Sequence, residues 1–199
     1  MCVRIACEGS ADFLCKNLKI KYMEGKTFIG IDPGSKGFCT VIYPDNSKEF
    51  ISISDNDELG LARELRRVKD RSNGNVVACM EEIHAIFGSS AKATFSFGQI
   101  FGILKGILVA LETPYHLVPP KTWQKEIWIN SDMVVSYKTM MRKGKEIKVK
   151  DINTKATSFN ASRRLFPNVD LRRSEKCKNL DDNKSDSLLI AEYARRKNL

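Results

Sequence analysis

The hydrophobic pattern changes period along the chain. Phe28-Ile29-Gly30-Ile31 is a β-branched and aromatic run that ends on an acid, Asp32, and Pro33-Gly34 follows as a turn. Apolar character resumes over 38–44. After Pro44-Asp45-Asn46-Ser47, a third strand is predicted at 48–54. The period then lengthens. Leu59, Leu61, Leu65 and Val68 make the apolar stripe of a helix over 55–70, which Ser72-Asn73-Gly74 ends. A fourth strand is predicted at 75–83, a largely buried helix at 90–112 and a short fifth strand at 115–118. The basic stretch 129–150 reads as a loop. Two helices follow, one over 152–166 with Thr154 as its cap and one over 181–199. Residues 1–25 have no clear period and are expected to extend ahead of a single domain, 26–199. Three sequential strands, then alternating helices and strands, predict an α/β domain with a mixed sheet.

Composition narrows the class. Of 199 residues, 42% are hydrophobic and 29% charged, as in soluble globular proteins. No window offers the roughly 20 uninterrupted apolar residues of a membrane span. The first residues lack the apolar core of a secretion signal, so a cytoplasmic location is expected. The net charge of +9 favours a polyanionic partner, nucleic acid before a membrane surface. The 6 cysteines form no C-x-x-C pair, and only His84 and His116 could assist them, which argues against zinc. Any bound metal would then take carboxylate oxygens, the donors that suit Mg²⁺ or Mn²⁺.

The acids stand where such donors would be useful. Asp32 ends the first strand. Val77, Cys79 and Glu81 alternate on one face, so Glu81 ends the fourth, while Glu82 falls on the opposite face. Asp182 and Asp186 are spaced i, i+4 on one face of the last helix. Taken singly, these are a turn acid, a strand-end acid and helix N-terminal acids. Taken together, four gathered carboxylates repel one another unless a divalent cation neutralises them.

The motifs "IGIDPGSKGF", "ACMEEI", "SFGQIFGILKGILVALETPYHLVPPKTW", "TKATSFNASRRLF" and "DNKSDSLLIA" resemble, in order, the RuvC-type Holliday-junction resolvases of the ribonuclease H superfamily, and among them the poxvirus branch. The resemblance implies a ribonuclease H-like fold, with a mixed five-stranded sheet of three antiparallel strands plus two parallel ones, flanked by helices. It implies a homodimeric endonuclease that nicks four-way and other branched DNA symmetrically, in recombination and in resolving viral genome concatemers in the host cytoplasm. It also implies Mg²⁺ or Mn²⁺, two ions per site, held by Asp32, Glu81, Asp182 and Asp186. The family commonly spaces its last two acids by three residues. That position is Asn183 here, and Asp182 is the better helical fit than Asp181.

Lysines complete the expectation. The family's first lysine position is Gln124 in this chain, flanked by Lys121 and Lys125, and Lys155 falls in register with the second. Each of the three is either a catalytic or phosphate-contacting group or a solvated side chain. Arg142, Lys143, Lys145, Lys148 and Lys150 form a run suited to a DNA backbone or to a solvated loop. His84, three residues beyond Glu81, is read first as a surface or core histidine and second as a neighbour of the acids. Gly98, Gly102 and Gly106 repeat on one helical face for close packing inside the domain or across a dimer, while Trp123 and Phe101 either wedge or stack on bases or, as the default, pack in the core. Competing readings are a ribonuclease H-like nuclease of other substrate preference and a non-catalytic DNA-binding module of the same fold.

Overall fold

The computed structural model describes residues 25–82, 90–142 and 145–199. Strands β1 (Thr27–Asp32), β2 (Phe38–Ile42) and β3 (Lys48–Ser52) pair antiparallel in sequence. Strands β4 (Val76–Glu81) and β5 (Tyr115–Val118) add in parallel on the other side, giving the order β3-β2-β1-β4-β5. The mixed sheet expected from the sequence is therefore present, three strands antiparallel and two parallel.

Helices α1 (Glu58–Arg71) and α2 (Ala91–Ala110) cover one face of the sheet, where Ile29, Ile31, Val41 and Met80 meet Leu61, Leu65, Leu104 and Leu108. Helices α3 (Pro120–Ile127), α4 (Thr154–Leu165) and α5 (Asp182–Lys197) cover the other, where Phe28, Val77 and Cys79 meet Trp123, Ile127, Ala161 and Leu189. Phe101 packs against the first cluster and Trp123 is fully buried in the second, so both are core residues as read.

Helix α5 lies directly on β1. A Cβ on Gly30 would stand 2.1 Å from the Ala191 amide nitrogen and 2.2 Å from the Ser187 carbonyl oxygen, so only glycine admits this approach. A hydrogen bond between the buried hydroxyls of Thr40 and Ser187, 2.6 Å apart, fixes the helix along the sheet. This contact brings the start of α5 to the C-terminal edge of β1 and β4.

Four local expectations are corrected. The stretch 129–150 is not a loop. After a 3-10 turn (Asn130–Asp132) it forms a hairpin of β6 (Val135–Arg142) and β7 (Lys145–Ile152). Asn153, rather than Thr154, caps α4, its side chain accepting from the Ala156 amide at 3.0 Å. Leu59 is exposed, and the α1 stripe is Leu61, Leu65 and Val68. Helix α2 is mostly exposed, only Leu104 and Leu108 being fully buried, because it has the sheet on one side and nothing on the other among the described residues. With 20 residues at a mean hydropathy of 1.5 it is also long and apolar enough to cross a membrane by length and composition. Lys92 and Lys105 interrupt it, and Leu104 and Leu108 tie it to the sheet.

Candidate active site

Asp32 and Glu81 stand side by side at the C-terminal edge of the sheet. Ile31 is in register with Met80 in the parallel β1–β4 pair, and each strand's next residue is the acid. Neighbouring strands run about 4.8 Å apart, so both carboxylates are placed by the sheet itself. Asp32 is buried, and its Oδ1 accepts a long bond, 3.4 Å, from the Gly34 amide of the following turn. Gly37 closes that turn, since a Cβ there would meet the Asp32 carbonyl oxygen at 1.9 Å.

The first turn of α5 brings Asp182 and Asp186 over this edge. Asp181 is the N-cap: its Oδ1 accepts from the amides of Asn183 at 3.0 Å and Lys184 at 3.2 Å. Its Oδ2 accepts from Arg173 Nε at 2.6 Å. Arg173 also donates to Ser54 Oγ and the Lys36 carbonyl and lies over the Phe38 ring, tying the start of α5 to the β1–β2 turn. The Asn183 amide is spent on Asp181 as well, at 3.2 Å. That leaves Asp182 as the acid of this turn facing the edge.

Electrostatics join the four. Burial first, then the charges of Asp186 and Glu81, push the Asp32 carboxyl up to about 8. Burial pushes Asp186 up to about 7 against a hydrogen bond from Ser158, with Glu81 and Asp182 adding to the rise. Glu81 is also raised, by burial, although Trp123 Nε1 donates to its Oε1 at 2.8 Å and opposes the shift. Asp182 pairs with Lys155, Oδ2 to Nζ at 2.5 Å, and that hydrogen bond raises the lysine.

Among the described residues no three His, Cys, Asp or Glu side chains are drawn together as a ready metal cage. Glu81 is held by Trp123 and Asp182 by Lys155. The four acids share one electrostatic field without sharing one coordination point. A hard dication nevertheless fits this donor set: every donor is a carboxylate oxygen, and Asp186 Oδ1 is enclosed with no hydrogen-bond donor.

The lysines divide. Lys155 stands at the acids. Lys121 and Lys125 line shallow surface grooves with Gln124, Trp128 and Tyr193, and neither is a principal charge acting on Asp32 or Asp186. Arg142 and Lys145 face each other as the last pair of the hairpin, and Lys143 and His84 lie outside the described residues. Trp123, Ser158 and Arg173 had no assigned part in the sequence reading of the site. For Trp123 a signal existed, since a buried indole N–H needs an acceptor. Ser158 and Arg173 carried none, because their partners come from distant segments.

No protein-family model and no curated protein matches the chain. Among solved structures it is similar to Thermus thermophilus RuvC in complex with a Holliday junction substrate, at 12% identity and a TM-score of 0.52, over 87% of this chain and 96% of that one. It is similar to Thermus thermophilus RuvC alone at 14% identity and a TM-score of 0.51, over 86% of this chain and 96% of that one. The α/β fold, a mixed five-stranded sheet with flanking helices, is thus a RuvC-like, ribonuclease H-like fold.

Proposed function

We propose that this chain is a metal-dependent DNA endonuclease that cuts four-way junctions and other branched DNA as a homodimer. The observation that carries the reading is the enclosed, donorless Asp186 Oδ1 beside Asp32, two carboxylates pushed toward neutrality at the edge of a RuvC-like sheet. Buried acids in that condition call for a cation, and an anionic substrate can then approach. The likeness in fold to a RuvC solved with a Holliday junction supports DNA as the substrate, and the net charge of +9 suits it.

Asp32, Glu81, Asp182 and Asp186 would hold Mg²⁺ or Mn²⁺. When bound, the metal supplies an acidified water and positive charge at the leaving oxygen of a phosphodiester. Trp123 holds Glu81 in orientation, and Arg173, through Asp181, holds the first turn of α5 in place. Lys155 exchanges Asp182 for an oxygen of the scissile phosphate and offsets its developing charge.

The dimer has a surface to use. Phe95, Gly98, Gly102, Gly106 and Val109 lie on one face of α2, opposite Leu104 and Leu108, at 3.6 residues per turn. Phe95 is 75% and Val109 62% exposed, and a Cβ on any of the three glycines would meet nothing within 4 Å. The glycine stripe therefore meets no other part of the chain among the described residues, and a second copy crossing there would bury it. Two active sites related by a two-fold axis suit two symmetric nicks. Within this class, the quoted motifs favour the poxvirus branch and the resolution of concatemeric genomes.

The test is cleavage of a synthetic four-way junction beside a linear duplex of the same sequence, with Mg²⁺ and with chelator. Metal-dependent, paired nicks on the junction alone are expected. Equal cutting of both substrates, or cutting in chelator, would sink the reading. Preferential cutting of an RNA–DNA hybrid would move it to another ribonuclease H-like nuclease.

A further inference from the structure

The hairpin β6–β7 stands off the body of the domain, and its own two strands provide its packing. Eight residue pairs run in register from Val135–Ile152 to Arg142–Lys145. Partners opposite each other share a face, so Val135 and Ile152, Tyr137 and Lys150, Thr139 and Lys148, and at the tip Met141 and Glu146, lie together on one side. Lys138 with Val149, and Met140 with Ile147, lie on the other.

Each face carries one acid, Glu146 on the Tyr137 side and Asp151 on the other, and the faces differ in which lysines are paired. Lys138 is neutralised by Asp151, Nζ to Oδ2 at 2.7 Å, and is surrounded by apolar Met140, Ile147 and Val149. On the opposite face Lys148 and Lys150 carry no ion pair among the described residues, and Tyr137 beside them is 69% exposed. A ring flanked by two ammonium groups without an ion pair, on a strand pair that no other element covers among the described residues, matches the chemistry of a nucleic acid: phosphates for the lysines, and a sugar or base face for the ring.

Its root lies at the active site. Thr157 Oγ1 accepts from the Val134 amide at 3.1 Å, and Asn160 Nδ2 donates to the Asp132 carbonyl at 3.0 Å, both from α4. Arg164 of the same helix pairs with Asp132 at 2.7 Å. The first turn of α4 carries Lys155, which meets Asp182. A strand of eight residues reaches roughly 25 Å at about 3.3 Å per residue, the length of about seven base pairs. An isolated two-stranded hairpin is only marginally stable in water, so an extended one gains from a surface to lie on.

We propose that the Tyr137–Lys148–Lys150 face of this hairpin binds a duplex arm of the DNA whose phosphodiester lies at the acids. This rests on the nuclease reading above. The test measures affinity for four-way junctions with arms of about five or about fifteen base pairs, across a salt titration without metal. Lys148→Ala combined with Lys150→Ala is expected to weaken long-arm binding at least about tenfold at 0.1 M salt and to flatten the salt slope by about two phosphates' worth. Short-arm binding, and cleavage at saturating protein, should be unchanged. Tyr137→Ala should weaken long-arm binding without changing the slope. Unaltered affinity and slope in the lysine variant would overturn the proposal and return the face to solvent. Loss of affinity in Met140→Ser with Ile147→Ser, but not in the lysine variant, would overturn it in favour of protein docking on the other face. If the parent binds DNA but cuts none, the nuclease reading fails while the affinity comparison still judges the hairpin. Circular dichroism checks that each variant is folded.

Discussion

Trp123 shows how one buried side chain sets the geometry of another. Its ring fills the core while its indole N–H reaches Glu81 Oε1 at 2.8 Å, so the acid cannot turn without leaving a buried donor unpaired. Trp123→Phe keeps most of the packing and deletes that bond. Cleavage should fall about tenfold, and the Mg²⁺ concentration for half-maximal rate should rise, since a hydrogen bond to a charged group contributes about 2 kcal/mol. Junction affinity without metal should be unmoved. A changed melting temperature with an unchanged Mg²⁺ profile would reduce Trp123 to packing alone. Asp182 is the second case. Asp182→Asn should lose cleavage at ordinary Mg²⁺ and melt within about 2 °C of the parent, a shift of under about 1 kcal/mol in a domain of this size. Asn183→Ala should keep activity, because its amide serves Asp181 and not the acids. The reverse outcome would make Asn183 the ligand.

Two helices meet the rest of the protein in opposite ways, and their glycines report it. Gly30 of β1 faces the backbone of α5 with no room for a methyl group, whereas Gly102 of α2 faces nothing among the described residues. Gly30→Ala should therefore cost about 3 kcal/mol and lower the melting temperature by roughly 10 °C, because the backbone of α5 must move and carry Asp186 with it. Gly102→Glu should leave the fold of each copy intact and place a charge on the face proposed for the dimer. Sedimentation would show a monomer, and junction products would become single nicks rather than pairs. A dimer that survives Gly102→Glu would put the two-fold axis elsewhere.

At the scale of the molecule, the acids load stability onto pH. Asp32 and Asp186 lie at about 8 and about 7 in the folded metal-free protein, against an ordinary 3.8. Values raised by folding mean that the stability these two carboxyls contribute is full below about pH 4 and is lost as pH rises through 7 to 8. The melting temperature of metal-free protein should accordingly fall from about pH 5 to about pH 9. Mg²⁺ should restore it at the alkaline end, and Asp32→Asn should flatten the fall. A flat profile in the parent would mean that both carboxyls are solvated. The same acids mark the boundary of what the chain discloses unfolded. Asp32 and Glu81 were legible because an apolar run ending on a carboxylate is a local pattern, and Asp182 because helical spacing selects the i, i+4 partner of Asp186. The mixed α/β sheet followed from strand and helix succession, its division into three antiparallel and two parallel strands was what the family resemblance implied, and the order β3-β2-β1-β4-β5 came only with the fold. The hairpin was legible only in part: Glu146-Ile147-Lys148-Val149-Lys150 alternates polar and apolar as a strand does, but both faces are exposed and the basic residues made the stretch read as a loop. Nor could an apolar 20-residue helix announce that half of it faces outward, for burial depends on what packs beside it. Above all, the hydrogen bonds of Trp123 to Glu81, Ser158 to Asp186 and Arg173 to Asp181 exist only once α3, α4 and α5 lie against the sheet, because each joins groups that chain connectivity leaves free to be anywhere.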